Sequence, residues 1–194
     1  MKSNKIAFAL HSNQQSIVHS KSDWEFVENL GFQVEYVQSE EIDSCGIFRW
    51  EDNGTGSEQL SSEIKKMDWE KYDEKILCGF SSGCNTILKT LLKYDIKCTS
   101  LLLQSPWIPM IDEDLKKLSD KLERYSTNVY IVCGMEDEDC FARSQILYHE
   151  LKGRDINVKK LWVEKLGHEF PNDYTIIYEN LLYMKNGVNN ASKQ

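Results

Sequence analysis

Short apolar runs recur along the chain, each followed by a stretch whose apolar positions return every three or four residues. Ile6–Leu10 is a continuous apolar run of strand length. Ser16–Leu30 follows with helical spacing and stops at Gly31, where a glycine can close a helix. Phe32–Val37, FQVEYV, alternates apolar and polar as a half-exposed strand does. Lys75–Gly79 is the next buried run, and Ser82–Tyr94 the next helix. In it Cys84, Ile87, Leu88, Leu91 and Leu92 share one face while Lys89 and Lys93 lie opposite. The alternation continues with a strand over Ser100–Leu103, a helix over Asp112–Tyr125 and a strand over Val129–Cys133. A helix over Cys140–Lys152, closed by Gly153, and a strand over Val158–Val163 come next. Asp173–Lys185, between Pro171 and Gly187, is predicted as the last helix.

Six strands alternating with helices predict an α/β fold, a three-layer sandwich around a mainly parallel six-stranded sheet. At 194 residues, one domain spanning residues 1–194 is expected. Ligands of such sheets sit beyond the carboxyl ends of the strands, so the residues that follow each strand carry the functional information. Gln38–Glu58 is too polar for core and longer than most loops, and it is expected to be a surface excursion rimming the site. Gly54–Thr55–Gly56 within it neither follows a strand nor completes GxGxxG, and GxxxxGK[ST] is absent. The nucleotide-binding uses of a doubly wound sheet lose support accordingly.

Composition narrows the classes further. Hydrophobic residues make up 41% and charged residues 28%, the balance of a soluble globular protein. A net charge of -8 argues against binding nucleic acid through its phosphates and against docking on anionic lipid. The start of the chain has only the Ile6–Leu10 run and no secretory pattern, so a cytoplasmic location is expected. The six cysteines lack CxxC spacing and read as reduced, mostly buried thiols. Neither Cys nor His clusters at ligand spacing, so no metal site is expected.

Gly79-Phe80-Ser81-Ser82-Gly83 fits G-x-S-x-G. Chance alone supplies that pattern in roughly one chain in fifteen of this length. The setting adds to it: KILC before it reads as strand and CNTILKTLLK after it as helix. That is the context in which a strained turn presents a serine Oγ to the crevice. A neutral serine needs a base, and the base an orienting acid. His168, in LGHEFP between the last strand and the last helix, is the candidate base. His149 reads as an ordinary helical residue, and His19 lies far from any strand end. The acid is expected after Val129–Cys133, in the run Gly134-Met135-Glu136-Asp137-Glu138-Asp139. Asp137 is the first choice and Asp139 the second. The order Ser, Asp, His is the one this architecture uses.

Gly79–Gly83, CGMED and LGHEFP together make the chain resemble the α/β-hydrolase superfamily, near its small carboxylesterase/phospholipase and dienelactone-hydrolase-like members. The resemblance covers nearly the whole chain and is to a minimal version without a lid domain. It implies Ser81 as nucleophile, Asp137 as acid and His168 as base. It also implies an oxyanion hole made by the Ser82 amide and a donor from LHSNQQS, where Asn13 or Gln14 would serve. In that loop His11 matches the family's histidine, while Ser12 stands where the family has glycine. The implied reaction is hydrolysis of a small or medium ester or thioester, with no cofactor. Trp107, Trp50 and His11 are expected to contact the substrate, with Phe48 beside them, and aromatic walls favour an apolar group. A thioesterase, a peptidase, a dienelactone hydrolase, a non-catalytic binding protein of the same fold and a flavodoxin-like ligand module are alternatives. The expected partner is a small-molecule ester, and a homodimer stays open.

Overall fold

A computed structural model of the protein describes residues 4–51, 54–110, 112–172 and 178. Its central sheet has six strands: β1 (Lys5–Leu10), β2 (Gln33–Val37), β5 (Glu74–Phe80), β6 (Ser100–Gln104), β7 (Asn128–Gly134) and β8 (Val158–Val163). They lie in the order β2-β1-β5-β6-β7-β8, and every pair in the sheet is parallel. The remaining two strands, β3 (Glu41–Ser44) and β4 (Ile47–Arg49), pair antiparallel as a separate hairpin. The chain therefore runs from β1 outward to β2, then crosses back over β1 to β5. The carboxyl ends of β1 and β5 flank that reversal, where a crevice forms in a doubly wound sheet.

Period-two alternation explains why the sheet is covered on both faces. Ile6, Phe8 and Leu10 of β1 join one core, while Ala7 and Ala9 join the other. The first core is closed by α2 (Thr55–Lys66), α3 (Ser82–Lys93), α4 (Asp112–Arg124) and α5 (Phe141–Lys152). The second is closed by Trp24, Phe26 and Val27 of α1 (Ile17–Asn29), with Tyr178, which is helical and buried. Ser16 caps α1: its side chain accepts from Val18 N, and His19 reaches back to the cap.

Of the ten predicted helices and strands within the described residues, nine shift by one residue at one or both ends, and Val158–Val163 is unchanged. The region 38–58 departs from expectation. It holds the β3–β4 hairpin and the first turn of α2, which runs on to Lys66. Hairpin strands of three and four mostly exposed residues carry little apolar pattern. Helix α2 has only Leu60 and Ile64 as large buried side chains. It packs through small ones, and a Cβ on Gly56 would come within 3.0 Å of Trp50 and 3.2 Å of Thr86. The predicted helix over 173–185 falls outside the described residues except at Tyr178. Among the described residues, no helix is long and apolar enough to cross a membrane.

Candidate active site

Strand β5 ends at Phe80, and α3 begins at Ser82, leaving Ser81 as the pivot between them. Ser81 has φ 53° and ψ −116°, a left-handed conformation that costs a non-glycine residue of order 1–3 kcal/mol. Three backbone hydrogen bonds hold it there. Ser81 N donates to Gln104 O at 3.0 Å, and Trp107 N and Cys84 N donate to Ser81 O at 3.2 and 3.0 Å. The two glycines of the motif are required by contact. A Cβ at Gly79 would lie 2.8 Å from Cys84 N, and one at Gly83 would lie 2.7 Å from His11 O. Helix α3 can therefore pack against the ends of β5 and β1 only if both positions lack a side chain.

Beyond β7, Asp137 is buried at 2% exposure, while Glu136, Glu138 and Asp139 face solvent. Asp137 Oδ1 accepts from Cys140 N at 3.1 Å, just before α5. Its Oδ2 lies 2.8 Å from Nδ1 of His168, 31 residues further on. A neutral imidazole that donates Nδ1–H to this carboxylate keeps its lone pair on Nε2. The ring stacks on Phe80 with centroids 5.1 Å apart, next to Ser81, and the His168 side chain is 38% exposed. The structure thus brings Asp137 and His168 together and puts Ser81 at the same end of the sheet.

Gly134, Glu136 and Gln104 position the histidine loop. Gly134 lies so close beneath it that a Cβ would clash with the Leu166 and Gly167 carbonyls, and Glu136 N donates to Leu166 O at 3.0 Å. Gln104, fully buried at the end of β6, donates through Nε2 to Glu169 O at 2.7 Å and accepts from Tyr178 OH at 3.2 Å. Sequence reading missed Gln104. The one available signal was a polar residue ending the apolar strand SLLLQ. It also missed Cys140, whose Sγ lies 3.7 Å from His168 Nδ1.

The loop after β1 differs from expectation. His11 is fully buried. Its Nδ1–H donates to Ser12 O at 2.6 Å, and Nε2 accepts from Ser39 N at 3.1 Å and Gln38 Nε2 at 3.0 Å. Burial holds its pKa below the ordinary histidine value. Trp50 is also buried, donates Nε1–H to His11 O at 2.8 Å and packs its ring 5.0 Å from the imidazole. His11 and Trp50, both expected to contact substrate, are placed by the structure as internal supports for the loop. Trp107 is half-buried just beyond β6. Asn13 N donates to Ser82 Oγ at 2.8 Å, and Ser82 Oγ donates to Asn13 Oδ1 at 2.8 Å. Trp50 N also donates to Asn13 Oδ1, at 2.7 Å. The Asn13 amide is thus engaged by the residue after Ser81, and the loop is tied to the elbow. A groove of about 920 Å³ between α4 and α5, lined by Leu115, Arg143, Ile146 and His149 among others, is separate from this site.

No family model matches the chain, and no curated protein matches it. Solved structures do. An uncharacterised protein of Bacillus cereus is 30% identical with a TM-score of 0.86, the match covering 95% of this chain and 60% of that one. The chain thus spans 60% of the length of that relative. SOBER1 of Arabidopsis thaliana is 15% identical over 92% of this chain and 97% of its own, with a TM-score of 0.67. A phospholipase/carboxylesterase of Dyadobacter fermentans is 12% identical over 94% and 91%, with a TM-score of 0.71. Strand order, the strained turn after β5 and these likenesses give the chain the α/β-hydrolase fold, in a small form built on six parallel strands.

Proposed function

We propose that the protein is a serine hydrolase that cleaves carboxylic esters or thioesters of small to medium soluble substrates. Ser81 Oγ attacks the carbonyl carbon while His168 Nε2 takes its proton. Asp137 accepts from Nδ1–H, keeping the ring in the required tautomer and balancing the imidazolium that forms. The Ser82 N–H, at the start of α3 where backbone donors lack helical partners, meets the developing oxyanion. His168 then protonates the leaving alcohol or thiol. Water, deprotonated by the same nitrogen, releases the acyl group. Rotation of the Ser82 hydroxyl away from Asn13 would release the Asn13 N–H as a second oxyanion donor. The half-buried Trp107 would supply an apolar wall for the acyl or alkyl group.

The observation that carries this reading is the Asp137–His168 pair at 2.8 Å, its acid buried and its imidazole reaching solvent at the sheet end that holds Ser81. The carboxylesterase named among the similar structures supports the same chemistry. A second reading, a binding protein of this fold without catalysis, is favoured by the Asn13 amide being engaged by Ser82 Oγ. Labelling with a fluorophosphonate separates the two. The protein is expected to label stoichiometrically at Ser81, and Ser81→Ala to stay unlabelled. Equal, background labelling of both would leave only the binding role. A panel of p-nitrophenyl esters and thioesters would then set the acyl length.

A further inference from the structure

Asp137, Cys140 and His168 offer a carboxylate oxygen, a thiol sulfur and an imidazole nitrogen, all within 4.8 Å of one another. Each is fixed in place by the fold. Asp137 is held by Cys140 N at 3.1 Å, Cys140 stands at the start of α5, and the His168 loop rests on Gly134 and Gln104. We propose that these three side chains form a binding site for a thiophilic divalent cation of the zinc type, and that occupancy silences His168 as a base.

The distances suit a tetrahedral ion. Bonds of roughly 2.0–2.3 Å set nitrogen, oxygen and sulfur ligands about 3.3–3.6 Å apart. His168 Nδ1 and Cys140 Sγ are already 3.7 Å apart. The Nδ1–Oδ2 separation of 2.8 Å need open only by about half an ångström. Mixed sulfur, nitrogen and oxygen donors select zinc-like ions over magnesium or calcium, which take oxygen. His168, with a side chain 38% exposed, is the member of the three that reaches solvent, whereas Asp137 and Cys140 are buried.

Binding is a ligand exchange without redox change. The Cys140 thiol gives up its proton to solvent as the metal–sulfur bond forms. The ion takes the Nδ1 lone pair, so the Nδ1 proton moves to Nε2. One proton is released in all. The ring then carries Nε2–H and has no lone pair to accept the Ser81 proton. This consequence for turnover rests on the acyl-transfer reading, whereas the binding itself does not.

Cobalt(II) titration of the full chain tests the site directly, in a Cys45→Ser background that removes the one exposed thiol. A sulfur-to-cobalt charge-transfer band is expected in the near ultraviolet, displaced by zinc. Adding Cys140→Ser should abolish the band, and adding His168→Gln, at a solvent-facing position, should weaken cobalt affinity by roughly tenfold or more. Zinc should slow fluorophosphonate labelling of Ser81, with EDTA restoring it. Absence of the band in the folded protein, or its persistence in both variants, would overturn the proposal. If Ser81 fails to label even without metal, the acyl-transfer reading falls, and the cobalt band still decides the metal site.

Discussion

Ser81 tolerates its left-handed backbone because Gln104 O, Trp107 N and Cys84 N bind its peptide groups from three sides. Among the carboxylates after β7, burial singles one out. Asp137 and Asp139 lie two residues apart in one acidic run, yet only Asp137 turns inward to His168. Asp137→Asn is therefore expected to lower kcat for an ester substrate by roughly 10⁴-fold, because an amide holds the wrong imidazole tautomer. Asp139→Asn, at an exposed position, should leave kcat near wild type, and steady-state kinetics of both variants checks the pair. The reverse ranking would move the acid. At this scale the sequence was informative about which residues follow each strand, and the structure places Ser81, Asp137 and His168 at the same end of the sheet. It was silent about Gln104 and about the burial of His11, because both depend on which carbonyls and amides the fold puts beside them. His11 looked like a site residue by position and is a buried brace by environment.

Helix α1 carries a titrating group that reports on packing. Burial raises the Asp23 carboxyl to about 6, against a smaller opposite pull from His19. The folded state thus holds a proton on Asp23 that the unfolded state, at about 3.8, has already lost. Stability falls as pH rises from about 4 to about 6 and stays reduced above that. Asp23→Asn should raise stability at pH 7 by about 1 kcal/mol, after allowing for the solvent that still reaches the side chain. The gain should fade towards pH 4. Thermal unfolding of both proteins at pH 7 and pH 4 measures this, and an equal gain at both values would exclude the burial cause. Elements with a strong apolar period, such as β5, α3 and β7, were legible in the sequence almost to the residue. The β3–β4 hairpin and α2 were not. The hairpin strands are only three and four residues long, and the buried face of α2 mixes Leu60 and Ile64 with the small residues Gly56, Ser57 and Ser61, which do not read as apolar.

At the scale of the molecule, among the described residues, four strands of the sheet have neighbours on both sides and two stand at its edges. Backbone amides of β1, β5, β6 and β7 are expected to exchange most slowly with solvent deuterium. Those of β3 and β4 should exchange fastest among the strands, since most of their residues are exposed. Exchange followed by mass spectrometry checks this, and a hairpin as protected as β5 would mean that another surface covers it. The same topology makes the site. Ser81 follows β5, Gln104 ends β6, Asp137 follows β7 and His168 follows β8, so residues far apart in the chain gather at the carboxyl end of the sheet. The sequence by itself determined the α/β alternation, the strained serine turn and the order Ser, Asp, His, because these are written in local apolar period and in residues next to each strand end. Only the tertiary structure decided which carboxylate turns inward, that His11 and Trp50 brace the loop, that Ser82 engages Asn13, and that Cys140 joins Asp137 and His168. Those outcomes depend on distances between segments, set by how β1 to β8 lie side by side, and a linear pattern carries no such distances.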